Sequence, residues 1–116
     1  MASEAAILFP PFRLDIANAQ LWQGTKHIPL RPKLFTILRF LASRPNQLVT
    51  KEEIGAALWE SNEIVEREML INTCIRDLRK ALEENPEQPR FIETVARRGY
   101  RFIAAVQGEE LPADEF

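Results

Sequence analysis

Apolar residues recur at i, i+4, i+7 and i+11 through residues 66–84, which predicts a long amphipathic helix. The apolar face consists of Ile71, Ile75, Leu78 and Leu82. Turning about 100° per residue from that face gives a far side made of Met69, Thr73, Arg76 and Lys80, flanked by Asn72, Asp77 and Arg79. One side of this helix is therefore built for a core and the other for polar contacts.

Short apolar clusters before residue 31 predict a small antiparallel sheet of four strands. The expected strands are Ile7–Phe9, Phe12–Asp15, Gln20–Trp22 and His27–Leu30, separated by turn-forming residues. Pro32 then suits the first turn of a helix, since its missing N–H costs little there. The buried stripe of that helix is Leu34, Ile37, Leu38 and Leu41, and the helix is expected to end at residues 43–46.

A second helix and a hairpin complete the pattern. Thr50 and Glu53 have the spacing of a capping box and open a helix to about Trp59, with Ile54, Ala57 and Leu58 facing inward. Residues 90–95 and 100–106 are rich in β-branched and aromatic side chains and predict two strands. Gly99 is expected to supply the positive φ of the turn between them. The fold class is therefore α+β, a winged helix-turn-helix with an N-terminal sheet, three helices and a C-terminal hairpin.

Length and charge place limits on this picture. The 116 residues suffice for one domain, which we assign to residues 6–106, after a disordered N-terminus (1–5) and before an acidic tail or start of a linker (107–116). The net charge of −2 becomes 15 − 13 = +2 without the last eight residues, which hold four acids. The remaining positive charge is concentrated on the long helix and the hairpin, which favours binding of a polyanion to that part of the surface.

Other function classes have little support. The chain has no apolar run as long as a membrane span and no signal peptide, and a single cysteine cannot form an internal disulfide, so we expect a cytoplasmic protein. The single His27 and single Cys74 offer no metal-ligand spacing, and no phosphate-binding glycine loop is present. We expect no enzyme activity, no metal and no cofactor.

The polar side of the long helix suits the major groove of double-stranded DNA, and the paired arginines Arg97 and Arg98 at the hairpin tip suit an adjacent minor groove. A solvated amphipathic helix and a charged tip kept for solubility give the same patterns. A winged helix that binds a protein instead of DNA is the alternative function, supported by the net negative charge.

Several motifs in order resemble one known family. They are "PFRLD", "LRPKLFTILRFLASRPNQLVTKEEI", "LW", "CIRDLRKAL", "PRFIETV" and "RRGYRF", which together cover about residues 7–106. The chain resembles the OmpR/PhoB-type winged-helix DNA-binding domain of bacterial transcriptional regulators. The resemblance implies sequence-specific binding of promoter DNA, usually at direct repeats. Because the domain begins so near residue 1, it is similar to CadC-like multidomain regulators, and further domains are expected beyond residue 116.

The resemblance also assigns roles to individual residues. It implies base contacts from Leu70, Asn72, Thr73 and Asp77, and phosphate contacts from Arg76, Arg79, Lys80 and Thr94. It implies a wing carrying Arg97, Arg98 and Arg101. It further implies that the loop of residues 60–65, with Glu60, Asn62 and Glu63, touches RNA polymerase.

Four positions depart from the family pattern. Met69 replaces a commonly basic residue, and Cys74, where His is frequent, is expected to be a small buried thiol. Asp77 stands where an arginine can read guanine, so we expect it either to accept from cytosine N4 or to pair with a neighbouring basic residue such as Arg76 or Lys80. The usual wing arginine is Ala96 here, which moves any minor-groove contact to Arg97 or Arg98.

Overall fold

The computed structural model describes residues 6–59 and 67–109. Within these ranges the chain forms three helices and eight strands. They are β1 Ala6–Phe9, β2 Phe12–Asp15, β3 Gln20–Gln23, β4 Lys26–Ile28, α1 Pro32–Ala42, β5 Leu48–Thr50, α2 Lys51–Leu58, α3 Arg67–Leu82, β6 Ile92–Val95, β7 Gly99–Phe102 and β8 Gln107–Glu109. The α+β class and the winged helix-turn-helix order are confirmed. Residues 1–5, 60–66 and 110–116 lie outside the described part. They include the predicted N-terminal tail, the predicted loop of residues 60–65 and most of the predicted acidic tail.

The N-terminal strands form an antiparallel sheet in the order β4-β3-β2-β1-β8. Here the structure extends the prediction, because β8 pairs with β1 and places Gln107 opposite Leu8 and Glu109 opposite Ala6. Among the described residues the sheet therefore has five strands instead of four, and it continues past the expected domain boundary at residue 106. Pairing with β8 satisfies backbone groups that the outer edge of β1 would otherwise leave open.

Asp15 closes the turn between β2 and β3. Its carboxylate accepts hydrogen bonds from the Asn18 side-chain amide at 2.8 Å and from the Asn18 backbone N–H at 3.2 Å. The side-chain hydrogen bond from Asn18 lowers the pKa of Asp15 below its usual 3.8, against the opposing effect of burial. This buried acid is thus held in its charged form by local donors.

The helices α1 and α2 begin where the sequence predicts. Pro32 occupies the first turn of α1, and its predicted stripe of Leu34, Ile37, Leu38 and Leu41 is buried. The capping box at α2 is also confirmed, since the Glu53 N–H donates to Thr50 Oγ1 at 3.1 Å and the Thr50 N–H donates to the Glu53 carboxylate at 2.8 Å. The prediction for Ala57 was wrong. It is exposed, because α2 turns its Ile54–Gly55 side toward the core.

The predicted apolar face of α3 is confirmed, with Ile71, Ile75, Leu78 and Leu82 all nearly inaccessible to solvent. The helix ends two residues earlier than predicted, at Leu82. Glu83 has φ +57° and its N–H donates to the Lys80 carbonyl, while the Glu84 N–H donates to the Arg79 carbonyl at 2.8 Å. This is the Schellman arrangement, in which glycine is the usual residue at the left-handed position.

A smaller sheet, in the order β5-β7-β6, carries the wing. Its strands β6 and β7 are shorter than the predicted 90–95 and 100–106. Aromatic rings join the two sheets, since Phe9 of β1 meets Phe102 of β7 edge-on at 5.1 Å between ring centroids. The wing is thereby anchored to the same core as the helices. No helix in the described ranges is both long and apolar enough to cross a membrane.

Candidate functional site

The outer side of α3 is exposed along its length. Met69 and Leu70 are 61% and 43% exposed and form a pair of neighbouring apolar residues on the surface. The polar residues Asn72, Arg76 and Lys80 are also exposed, and Thr73 is half-buried. The helix therefore presents a continuous polar surface with an apolar end, as the sequence predicts.

The wing tip consists of Ala96, Arg97 and Arg98 between β6 and β7, and both arginines are exposed. The predicted role of Gly99 was wrong, because the residue with positive φ is Arg97, at +67°. Gly99 is required for another reason. A Cβ at Gly99 would lie 2.0 Å from the Val49 carbonyl oxygen, so only glycine permits β7 to approach β5 this closely.

A hydrogen bond joins α3 to the wing directly. The Tyr100 hydroxyl of β7 donates to Asn72 Oδ1 of α3 at 2.9 Å. Desolvation of the phenol raises the pKa of Tyr100 above its usual 10, although the charges of Lys51 and Arg79 oppose that shift. Tyr100 therefore stays protonated and able to donate at physiological pH.

Arg79 forms a second link between α3 and the wing. Its Nη2 donates to the Ile92 carbonyl at 2.9 Å and to Thr94 Oγ1 at 2.8 Å, and its side chain is only 13% exposed. The family resemblance implies phosphate contacts from Arg79 and Thr94. The structure brings these two residues together but directs them at each other, which does not support a phosphate contact from Arg79.

Glu84 positions the wing, and no motif in the sequence indicates this role. The Glu84 side chain is fully buried, and its carboxylate accepts from the N–H groups of Arg90 and Phe91 at 2.7 Å and of Ile92 at 3.1 Å. It also lies 4.0 Å from Arg79 Nε. The carboxylate thus fixes the start of the wing against the end of α3.

Asp77 pairs with a residue that the sequence did not indicate. Its carboxylate lies 2.6 Å from Arg31 Nη2 and 3.8 Å from Arg76 Nε. The predicted neighbouring partner Arg76 is thus the more distant one. Arg31 precedes α1, 46 positions away in sequence, so this contact has no local sequence signal.

Arg101 lies on β7 rather than at the wing tip. It pairs with Glu93 on β6 at 3.5 Å across the strands, where the two residues are directly opposite. Its position favours a role in holding the hairpin together.

A groove of about 330 Å³ separates the N-terminal ends of α2 and α3 from the wing tip. It is lined by Lys51, Glu52, Gly55, Glu68, Ile71, Arg97 and Arg98. Lys51 pairs with Glu68 at 3.0 Å on its wall. Lys51 is the first residue of α2, and this place puts it beside both wing arginines.

The remaining predicted residues give simpler outcomes. Cys74 is buried, and desolvation raises the pKa of its thiol, in line with the predicted small buried thiol. Glu60, Asn62 and Glu63 lie outside the described residues. Within the described ranges, no group of three His, Cys, Asp or Glu side chains could hold a metal ion.

Comparison with known proteins gives a consistent set of relatives. The family described as "Transcriptional regulatory protein, C terminal" matches residues 24–102. The phosphate regulon transcriptional regulatory protein PhoB of Klebsiella pneumoniae is 32% identical over 104 residues, covering 90% of this chain and 44% of that protein. The cholera toxin homolog transcriptional activator of Vibrio parahaemolyticus is 30% identical over 99 residues, covering 85% of this chain and 33% of that protein. The chain thus spans between a third and a half of these curated relatives.

Solved structures show the same similarity. The DNA-binding domain of Klebsiella pneumoniae RstA, solved in complex with the RstA box, has a TM-score of 0.74 and 27% identity, over 84% of this chain and 96% of that one. The response regulator DrrB of Thermotoga maritima, an OmpR/PhoB homolog, has a TM-score of 0.76 and 31% identity, over 85% of this chain and 44% of that one. The DNA-binding domain of Escherichia coli CadC shares the fold, with a TM-score of 0.74 at 23% identity, over 91% of this chain and 98% of that one.

Proposed function

This chain belongs to the OmpR/PhoB-type family of transcriptional regulatory DNA-binding domains, and we propose that it binds promoter DNA in a sequence-specific manner through α3 and the wing. The family is one of transcriptional regulators and not of enzymes. Because the chain covers less than half of its curated relatives, regulation of a promoter is proposed as a property of a longer protein.

The observation that carries the proposal is the joint presentation of two surfaces. The exposed side of α3 and the arginine-bearing wing tip belong to one frame, joined through Tyr100–Asn72 and Arg79–Thr94. A major groove about 12 Å wide admits one helix, and a narrow minor groove attracts arginine. Two preordered elements of these kinds, side by side, fit adjacent grooves of one duplex.

We assign base contacts to Leu70, Asn72 and Thr73. Asn72 accepts the Tyr100 hydroxyl with its oxygen, which leaves its amide nitrogen to donate to an acceptor on a base edge. The exposed Leu70 suits a thymine methyl group. These assignments predict sequence preference at the base pairs under the first half of α3.

We assign phosphate contacts to Arg76 and Lys80, which are exposed, and to Lys51 at the edge of the groove beside the wing. The exposed Arg97 and Arg98 are assigned to the adjacent minor groove, where their charges neutralise the phosphates that border it. Arg79 and Thr94 instead support the frame, and Arg101 supports the hairpin. With about five phosphates neutralised, log affinity should fall with log salt at a slope of roughly −4.5.

The test is selection of bound duplexes from a random pool, followed by sequencing, at several salt concentrations. Arg76→Ala and the pair Arg97→Ala/Arg98→Ala are the test variants, and Arg39→Ala is the control because it removes one exposed charge from α1. We expect a defined motif that the wild type and the control share and that weakens in the test variants. Equal, motif-free recovery by every variant would overturn DNA binding and favour a winged helix that binds protein.

Two finer proposals rest on the family resemblance. We propose that two copies occupy direct repeats, which selection should show as a spaced repeat. We also propose that the loop bearing Glu60, Asn62 and Glu63 contacts RNA polymerase. In a transcription assay, Glu60→Ala/Glu63→Ala should then lower activation while leaving DNA affinity unchanged.

A further inference from the structure

The pairing of Arg31 with Asp77 carries a further inference, which rests on the proposed function. Asp77 stands on the exposed half of α3, where the family resemblance predicts a base contact. Its carboxylate is instead 2.6 Å from the guanidinium of Arg31, and its side chain is only 28% exposed. A carboxylate held by a guanidinium has less capacity to accept from a cytosine amino group.

Arg31 itself remains open to solvent. Its side chain is 65% exposed although one nitrogen is bound to Asp77. A guanidinium carries five N–H donors, so the contact with one carboxylate leaves others available. Arg31 is thus a cation that is fixed at one point and accessible at the rest.

The place of this cation follows from the geometry of α3. Asp77 is about 100° around the helix from Arg76, whereas Asn72, which contacts the wing residue Tyr100, lies on the opposite flank. Arg31 therefore borders the flank of α3 that faces away from the wing. Its charge also acts on the thiol of Cys74, which lies on the same flank.

A helix seated in the major groove has a phosphate backbone on each side. The wing flank supplies Arg97, Arg98 and Lys51. On the other flank, Arg31 is the cation held against α3 by an ion pair, with Lys33 close enough for its charge also to act on Cys74.

We propose that Arg31 binds a phosphate of the DNA strand on the side of α3 opposite the wing, and that Asp77 is its positioning residue instead of a base reader. Asp77 restricts a long flexible side chain that would otherwise lose rotamer freedom on binding. Stability gives little reason for the pair, since ion pairs this exposed contribute little to folding.

The first test compares Arg31→Ala with Arg39→Ala, which removes the same type of side chain from the last turn of α1, about 12 Å along the helix axis from Arg31. Affinity for the selected duplex is measured by fluorescence anisotropy over a range of salt concentrations. We expect Arg31→Ala to weaken binding about tenfold and uniformly across sequences, and to reduce the salt slope by about 1. Arg39→Ala should match the wild type.

The second test concerns Asp77. We expect Asp77→Asn to keep the wild-type base preferences, and its effect on affinity to disappear in the Arg31→Ala background. A change of preference at a single base pair in Asp77→Asn would overturn the positioning role and restore the base-reading prediction. Thermal unfolding should show nearly equal midpoints for these variants, which separates binding effects from unfolding.

The outcomes also separate this inference from the proposed function. If Arg76→Ala loses affinity while Arg31→Ala behaves as Arg39→Ala, DNA binding stands and the role of Arg31 is overturned. If the wild type shows no salt-sensitive binding to any duplex, the proposed function is overturned and this inference with it.

Discussion

Replacing Glu84 with glutamine should destabilise the domain more than the similar size and shape of the two side chains suggests. The buried carboxylate accepts from the backbone N–H groups of Arg90, Phe91 and Ile92. Glutamine can place its single acceptor oxygen at the position of Oε2, which accepts from all three amides, but its NH₂ group then replaces Oε1 and faces the Ile92 N–H and Arg79 Nε. The amides keep an acceptor that has lost its charge, and Arg79 loses its counter-ion, which together cost roughly 1–3 kcal/mol.

We therefore expect Glu84→Gln to lower the free energy of unfolding by about 2 kcal/mol. At a loss of about 4 °C per kcal/mol for a domain of this size, the melting temperature falls by about 8 °C. Glu83→Gln is the matched control, because Glu83 is the adjacent residue and is exposed. It should change stability by less than about 0.5 kcal/mol.

The assay is urea unfolding at pH 7, followed by circular dichroism and by tryptophan fluorescence. Amide hydrogen exchange provides a local measurement, since the N–H groups of Phe91 and Ile92 should exchange faster in Glu84→Gln than in Glu83→Gln. Equal stability and equal exchange in the two variants would refute the stabilising role assigned to the charged carboxylate of Glu84.

Three further predictions concern single positions. Gly99→Ala should lower the free energy of unfolding by about 3 kcal/mol, because its Cβ would overlap the Val49 carbonyl. Gly24→Ala should lower it by about 1 kcal/mol, because φ is +63° there although a Cβ meets no described atom within 4 Å. Thermal unfolding of both variants, with Gly24→Asn expected near wild type, separates crowding from backbone strain. Glu83→Gly should stabilise the domain by about 0.5–1 kcal/mol in urea unfolding, since it relieves a left-handed conformation, and a loss of stability would contradict that reasoning. The pKa of Asp15 in the folded domain lies below 3.8, so the stability that its carboxylate contributes is complete above pH 3.8 and is lost as the pH falls through the folded pKa. The stability difference between wild type and Asp15→Asn should therefore shrink from pH 7 toward pH 3, and a constant difference would contradict this role of Asp15.

The elements with strong local signals were predictable from the sequence. The capping box of Thr50 and Glu53 and the apolar stripe of α3 depend on residues three or four positions apart, and both are confirmed. The wing was also predictable as a hairpin. Local spacing contains the information for these elements because their interactions are local.

The contacts that organise the candidate site join residues far apart in the chain, so no local sequence pattern indicates them. Arg31 and Asp77 are 46 positions apart, and Tyr100 and Asn72 are 28 apart. Nothing in the composition separates the buried Glu84 from the exposed Glu83 beside it, because burial depends on how the chain turns after α3. The reason for Gly99 was missed for the same cause, since the atom that excludes a side chain belongs to β5.

Because α3 is attached to the wing at two points, the distance between the two proposed DNA-contacting elements is fixed. Arg79 and Tyr100 each bridge the two elements, so neither element can adjust its position along a duplex independently. One added base pair between the major-groove and minor-groove contacts would turn the second contact by roughly 35° and move it by roughly 3.4 Å. The domain would then keep the contacts of its helix or those of its wing, but not both, so that spacing within a site would be selected as strictly as the bases themselves.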